Sequence, residues 1–457
     1  MGKQYKFDER KYQLFVTPSG EVFAMPPGGD MNTYVRKGFS PVFTHEEQDT
    51  EPGRVIRYGD PSGPVRDNMW KGERCFILGG GPSLREFDWT LLRGERVIAV
   101  NRAFEVYPDA DITCSLDQRW LAWTTNGKLG PDAQAAYRSY KGAILMVHVY
   151  GTKSDYPPRI QLVEGHGNPN ELSPSLKYGL GYASNSGFVA LNLALVLGCN
   201  EVYLLGFDMK GGSDGYQAHF HNGYPERQRR TVYKKFMLAF DKVAAMAQEK
   251  ARIVNLNPDS ALECFPKSEE FPTPAPVFVS CYTEDYKASA MQLVESLKQH
   301  KLVFDVEQFD DQGNWEANCN HKPYFIRDMR SKYRGRPVVW VDADAIVKER
   351  PKLLYQLECD FAGHHLDKEL LSGTLYFGPG RGASSLVTKW IKRTKERPQE
   401  WDQRNLAYAT CQWRFGKTYE LPASYCKIFD NARQRMFDGV IEHYQESRRV
   451  KAERAAV

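Results

Sequence analysis

The sequence predicts an α/β protein built from two doubly wound, parallel-sheet domains joined by a proline-rich linker. Three observations carry this. Short apolar runs rich in β-branched and aromatic residues alternate with helix-like stretches, the order that parallel strands with helical crossovers require. At 457 residues the chain exceeds what one hydrophobic core accommodates. The run FPKSEEFPTPAP, 265–276, holds four prolines and no hydrophobic period, the composition of an extended connector.

Residues 1–70 form an uneven N-terminal extension. In it, QLFVTPSGEVFAM reads as a small hairpin around Pro18-Ser19-Gly20, and MPPGGD and DPSGPVRD as turn-rich connectors. The first domain is expected over 71–264. RCFILGGGPSL is an apolar strand running into a glycine turn, and RVIAVNRAF, DITCSLD and AILMVHVYG (143–151) follow as strands. SNSGFVALNLALVLGC reads as a helix opened by Ser and Asn capping residues, with EVYLLGFD as the next strand. A long helix at about 228–250 then precedes RIVNLNP. The second domain is expected over 277–457. It starts with the strand VFVSCYT and an amphipathic helix over 284–299. FDVEQFD, a helix around 321–333, the strand VVWVDADAIV (338–347) and the strand SGTLYFG (372–378) follow. Both halves therefore read as Rossmann-like.

Bulk properties exclude several classes. Net charge is +4, from 61 basic and 57 acidic residues, so no general bias toward polyanions is visible. The basic clusters RQRR (227–230) and SRRVKAER (447–454) read as solvated faces. Nine scattered cysteines without a CxxC pair argue against a disulfide framework or structural zinc, and for a reducing compartment. The N-terminus lacks a signal-peptide apolar core, and the longest near-apolar run, 188–199, is too short for a bilayer. The expectation is a cytoplasmic chain with no membrane span.

Two stretches carry chemistry. VVWVDADAIV ends an apolar run on Asp342 and Asp344, which in a continued strand would point to one side. Uncompensated buried carboxylates are expensive, so either a solvated strand end or a bound cation explains the pair. Mn²⁺ and Mg²⁺ bind through one or two carboxylates plus a substrate's phosphates, which suits a nucleotide-diphospho-sugar whose leaving diphosphate gains negative charge. GGGPSL (79–84) follows a strand, and its glycines let the backbone approach an anion. It lacks both the G-x-G-x-x-G spacing and a Walker lysine, so a tight strand-to-helix turn is the competing reading.

The later motifs occur together in order: VSCYT (279–283), NCNHKPYFI (318–326), WVDADAIV, SGTLYFG, WDQRNL (401–406) and VIEHYQESRR (440–449). With them, residues 277–449 resemble GT-A type nucleotide-diphospho-sugar glycosyltransferases. The resemblance implies metal-dependent transfer of a sugar from a nucleotide sugar to an acceptor; the sequence does not identify that acceptor, and a glycan, a small molecule, or DNA such as a modified phage base presented by the first domain are the candidates. It implies Asp342 and Asp344 as metal ligands with His443 as a third. Ser280, Tyr282 and Thr283 would form the nucleotide loop, and Lys322 would face the sugar nucleotide or its phosphates. Ser372 and Gly373 would shape the sugar pocket. Asp402 and Gln403 would lie beside sugar and acceptor, with Asp402 the first candidate for base or transition-state stabiliser. Arg448 or Arg449 would neutralise the leaving diphosphate. On the residues alone, Lys322 equally starts a solvated helix, Asp402 caps one beginning at Gln403, and His443 is a surface or packed histidine.

FILGGGPSL, VIAVNRAF, SLD (115–117), NSGFVALNLALVLGCNEVYLLGFD (185–208) and HFHNGY (219–224) give residues 74–257 a resemblance to bacterial sialyltransferase-like proteins and 6-hydroxymethylpterin pyrophosphokinase-like proteins. This implies nucleotide-binding roles for Gly79, Gly80, Gly81, Ser83, Asn101, Ser186, Gly187 and Asp208, and a general base at His219 or His221. A rival function follows, in which this domain is the catalytic glycosyl or pyrophosphoryl transferase, or a non-catalytic module that binds the acceptor or nucleic acid. Gly80 stands where the sialyltransferase loop has asparagine. Ala183 occupies the neighbourhood of an expected arginine, and Met209 and Lys210 that of an expected tyrosine. These departures speak against sialyl transfer from a CMP donor. Loop histidines bonded to backbone and a turn-forming Asp208 are the plain alternatives.

Overall fold

The computed structural model describes residues 13–16, 22–25, 40–42, 56–57, 63–149, 156–157, 159–221, 223–414, 416–431, 434 and 436–446. The chain divides into two compact units, residues 1–90 with 95–271 and residues 91–94 with 272–457. Both are mixed α/β, and among the described residues no helix is long and apolar enough to cross a membrane.

The first unit is organised on an eight-stranded sheet whose pairings are all parallel. Its order is Arg252–Asn255, Glu201–Leu205, Arg74–Leu78, Arg96–Val100, Ile112–Ser115, Ala143–His148, Ile160–Glu164 and Ile56–Arg57. From Arg74–Leu78 the chain winds outward to Ile160–Glu164, then returns to place Glu201–Leu205 on the opposite side of the starting strand. The gap between those two strands is a topological switch point, where their carboxyl ends open a crevice. The helix Ser186–Val196 is buried almost all round, which explains its continuous apolar sequence. Asn185 caps it by accepting the Gly187 amide at 2.8 Å.

Strand Ile160–Glu164 is absent from the sequence expectation because Gln161 interrupts its apolar run. Gln161 is 1% exposed, and its amide exchanges hydrogen bonds with the backbone of Val65, so the polar group is fully used. The N-terminal hairpin is present as antiparallel Gln13–Val16 and Val22–Met25, with Ser40–Val42 alongside; its turn residues lie outside the described residues. The first part of the proline-rich stretch is structured. Asn255 donates to Pro266 and accepts from Ser268, and Phe271 stacks on Phe76 at 5.0 Å.

The second unit carries a six-stranded mixed sheet, ordered Val303–Gln308, Val277–Tyr282, Val338–Val341, Glu369–Phe377, Phe361–Leu366 and Thr418–Glu420. The first three are parallel, and Glu369–Phe377 runs against Val338–Val341. Phe361–Leu366 and Glu369–Phe377 form a hairpin, with Asp367 and Lys368 both at positive φ (52° and 71°) as a tight primed turn demands. Ala345–Val347, Ile441–His443 and Lys427–Ile428 make a separate three-stranded sheet.

VVWVDADAIV is therefore two strands in two sheets, not one continuous strand. The chain leaves the main sheet at Val341, turns through Asp342–Asp344 with the Ala345 amide donating to the Asp342 carbonyl at 3.0 Å, and enters the small sheet at Ala345. A turn, rather than strand periodicity, brings the two carboxylates together.

Candidate active site

The Asp342–Asp344 turn sits at the carboxyl end of a buried strand, where the backbone is held by the Asp342 amide donating to the Gly373 carbonyl at 2.9 Å. The small sheet supplies the third group. Ala345 pairs with His443 in antiparallel register, which sets the imidazole beside the turn. Ligand atoms of Asp342, Asp344 and His443 all lie within 4.8 Å of one another. A side chain at Gly373 would meet this ring, because a Cβ there would stand 2.8 Å from His443 Cε1.

Two oxygen ligands and one imidazole form a donor set that suits Mn²⁺ and admits Mg²⁺. His443 is 3% exposed, not a surface residue. Its Nε2 is hydrogen-bonded to Thr374 Oγ1 at 2.9 Å, whereas its buried Nδ1 makes no hydrogen bond. Burial works against protonating the ring, but Cys426, Asp342 and Asp344 outweigh it and carry the pKa up to about 9. Burial, then the Asp342 charge, pushes the Asp344 carboxyl above its ordinary value. A divalent cation between these groups would relieve the crowding of negative charge, so the residues fit such an ion.

Lys322 opens the helix Lys322–Lys332, but it is not a solvated helix start: it is 6% exposed. Its Nζ reaches Asp402 Oδ2 at 2.7 Å, Asp342 Oδ1 at 2.9 Å and Ser372 Oγ at 3.3 Å, and stands 4.9 Å from the centre of the Trp340 ring. Burial disfavours the ammonium, yet Asp342 and Asp402 prevail and raise its pKa above the usual lysine value. Asp402 is not a helix cap either. It is the first residue of Asp402–Cys411, Trp401 is the N-cap residue, and the Asp402 side chain, 7% exposed, turns inward to Lys322. Gln403 accepts from the Ser372 amide at 3.1 Å and donates to Glu369 at 2.7 Å, tying this helix start to the strand.

These groups edge a cavity of about 520 Å³ in the second unit. Tyr282, Thr283, Lys322, Asp342, Asp344, Ser372, Asp402 and Gln403 line it. Thr283 presents a buried Oγ1 without a hydrogen-bond partner. Trp315 and Trp401, packed edge to face at 5.4 Å, add an aromatic wall. Ser280 does not line the cavity; it is fully buried within its strand. Gly373 and His443 are not among the residues that line it, and His443 is buried. Arg448 and Arg449 lie outside the described residues. Trp340 and Thr374 were not singled out from sequence; the signal was their position, each two residues from a chosen polar group, Asp342 and Ser372.

The first unit has its own cavity, of about 750 Å³, at the switch point. Gly79, Gly80 and Gly81 line it from one strand end, with Asn101, His219, Ser186 and Gly187 around it. Asn101 Oδ1 and Asn185 Nδ2 are buried there without partners, and Asn101 holds a φ of 52°. Ser83 and Asp208 engage each other instead of the cavity. The Asp208 carboxylate accepts from Ser83 N at 2.9 Å, Ser83 Oγ at 2.6 Å and Asn257 Nδ2 at 3.0 Å. Gly81 makes room for that clasp, since a Cβ would stand 2.3 Å from Asp208 Oδ1. His221 stands outside the lining, stacked on His219 at 4.8 Å, with its Nδ1 accepting the Gly223 amide at 2.9 Å. Burial, then His219 and Arg102, drives its pKa down to about 2. Burial also lowers that of His219.

No protein family matches the chain, and no curated protein does. Solved structures do. One is a glycosyltransferase involved in the glycosylation of the major capsid of PBCV-1, at 14% identity and a TM-score of 0.33, over 40% of this chain and 100% of that one. Another is the glycosyltransferase GlyE of Streptococcus pneumoniae TIGR4, at 16% identity and a TM-score of 0.28, over 37% of this chain and 54% of that one. A third is the galactosyltransferase LgtC in complex with donor and acceptor sugar analogs, at 11% identity and a TM-score of 0.27, over 37% of this chain and 87% of that one.

Proposed function

We propose that the second unit is a GT-A type glycosyltransferase that moves a sugar from a nucleotide diphosphate to an acceptor hydroxyl. The observation that carries the reading is the convergence of His443 with Asp342 and Asp344, two carboxylates that line a cavity also holding a buried lysine–aspartate pair. Asp342, Asp344 and His443 would hold Mn²⁺ or Mg²⁺, which when bound supplies charge neutralisation for the departing diphosphate. The chain's own residues do the rest. Lys322 fixes Asp402 and Asp342 relative to each other through one ammonium. Asp402 commits one carboxylate oxygen to that ammonium and stabilises positive charge developing on the transferred sugar with the other. Gln403 holds the Ser372 amide, so the strand and helix that line the sugar's place move as one body.

The test is nucleotide-sugar turnover by the full chain with Mn²⁺, across a panel of UDP- and GDP-sugars and glycan, small-molecule and modified-DNA acceptors. The double variant Asp342→Ala, Asp344→Ala should lose at least about 10³-fold in rate. Activity retained in that variant would remove the proposal.

A second reading concerns the first unit: its cavity binds a phosphorylated ligand such as a nucleotide. The N-terminus of Ser186–Val196 and the unpaired Asn185 Nδ2 present donor character to one space, and the glycine turn, whose Gly79 and Gly81 amides are held by the Leu205 and Gly206 carbonyls, lets a ligand come close to the backbone. Of the two candidate histidines, His219 lines this cavity and His221 does not.

A further inference from the structure

We propose that Trp340 and Thr374 are positioning residues that decide which atom of Asp342 and of His443 faces a divalent cation, and that the resulting seat rejects Ca²⁺. This rests on the metal-dependent reading of the second unit. Trp340 Nε1 donates to Asp342 Oδ1 at 2.8 Å, and Lys322 Nζ donates to the same oxygen at 2.9 Å. Two donors take both lone pairs of that oxygen, so Asp342 offers a cation its other oxygen alone. On His443, Thr374 Oγ1 engages Nε2 at 2.9 Å, and Nδ1 stays buried without a hydrogen bond. An imidazole that gives its Nε2 proton to the threonine hydroxyl keeps its lone pair on Nδ1, the tautomer a metal needs. On Asp344, the Glu446 amide donates to Oδ2 at 2.8 Å. Asp342 is thus left one oxygen, and His443 one nitrogen, for a cation.

Single-atom ligands suit a small octahedral ion, which leaves its remaining positions to phosphate oxygens and water. Ca²⁺ takes roughly six to eight oxygens and gains from bidentate carboxylates, which a doubly bonded Asp342 Oδ1 denies it. A buried indole N–H seeks a partner in any case. The choice of a ligand carboxylate's inner oxygen, shared with Lys322, is what turns that need into metal selection. Both residues are held rigidly: Trp340 is 3% exposed and packs edge to face on Phe325 at 6.1 Å, and Thr374 is fully buried.

The experiment measures Mn²⁺ and Ca²⁺ binding to the full chain by titration calorimetry, with Mn²⁺ paramagnetic resonance as the spectroscopic readout. Trp340→Phe removes the N–H and keeps the ring, Thr374→Val removes the hydroxyl, and Thr374→Ser restores it. Trp340→Phe and Thr374→Val should each weaken Mn²⁺ by about 10–100-fold, and Thr374→Ser should regain wild-type affinity. Trp340→Phe should also narrow the Mn²⁺-to-Ca²⁺ preference by roughly tenfold, because the freed carboxylate can bind through both oxygens. Folded variants that bind Mn²⁺ as the wild type does, or Trp340→Phe with its preference intact, would overturn the inference. Should Trp340→Phe fail to fold, the Val and Ser pair at 374 decides it. A wild-type chain that binds no Mn²⁺ defeats the metal reading itself, whereas wild-type binding with indifferent variants defeats only the positioning roles.

Discussion

Replacing Lys322 with methionine should cost about 3–5 kcal/mol of unfolding free energy near neutral pH. The ammonium stands 2.7 Å from Asp402 Oδ2 and 2.9 Å from Asp342 Oδ1, with the Lys322 and Asp402 side chains each 7% exposed. At an effective dielectric of about 20, each contact is worth a gross attraction of ~6 kcal/mol, much of which offsets the burial of the charges. Methionine keeps most of the stem volume against Trp340, so little cavity forms. What remains is Asp402, buried with its charge uncompensated. The sign of the pH dependence follows from the lysine. Its native pKa lies above the ordinary value, so the stabilisation is fully present below the ordinary lysine pKa and fades only as pH rises through the native one. The lysine's own contribution should therefore stay level between about pH 6 and 9, while the variant's deficit should shrink toward acid pH as the stranded carboxylate takes up a proton. Urea denaturation of the wild type, Lys322→Met and Lys322→Met with Asp402→Asn measures it. The double variant should recover at least about 2 kcal/mol, because no unpaired charge is left inside. A single variant within about 1 kcal/mol of wild type, or a double variant no better than the single, would refute the reasoning.

His221→Gln should flatten the acid limb of stability. The native pKa of about 2 lies below that of the unfolded chain, so protons bind preferentially to the unfolded state as pH falls below about 6.5. The wild type should lose ~2.3 kcal/mol relative to the variant between about pH 6.5 and 4.5; a constant difference in denaturation free energy would contradict this. Asn185→Asp should keep the helix cap, since the side chain still accepts the Gly187 amide, while replacing the unpaired donor with an anion. Affinity for ADP or CMP, measured calorimetrically, should fall at least about tenfold, and unchanged affinity would defeat the second reading of the first unit.

Much of the candidate site was legible because its polar residues interrupt strong local patterns. VVWV is apolar at every position and then stops at a carboxylate, which marks Asp342 whatever the tertiary context. The Asn185 cap was legible for the same reason, a short polar side chain directly before an apolar helix. Lys322 was not, because a lysine followed by proline looks the same whether its ammonium meets solvent or two carboxylates. Asp402 was misleading in the same way. An aspartate at a helix start satisfies a local rule, yet here the side chain answers to a lysine 80 residues away. Ser83 and Asp208 show the converse: both were assigned to a ligand, and they close on each other.

By itself the sequence determined the alternation of strands and helices, the turn chemistry and the placement of carboxylates at a strand end, since these depend on neighbours a few positions apart. Only the tertiary structure decided that the Asp342–Asp344 turn crosses between two sheets and that His443 meets it through the Ala345 pairing. It also decided that one buried ammonium joins residues 342 and 402. Those are contacts across long chain separations, fixed by strand register and by the need to compensate every buried charge, and no local pattern encodes either.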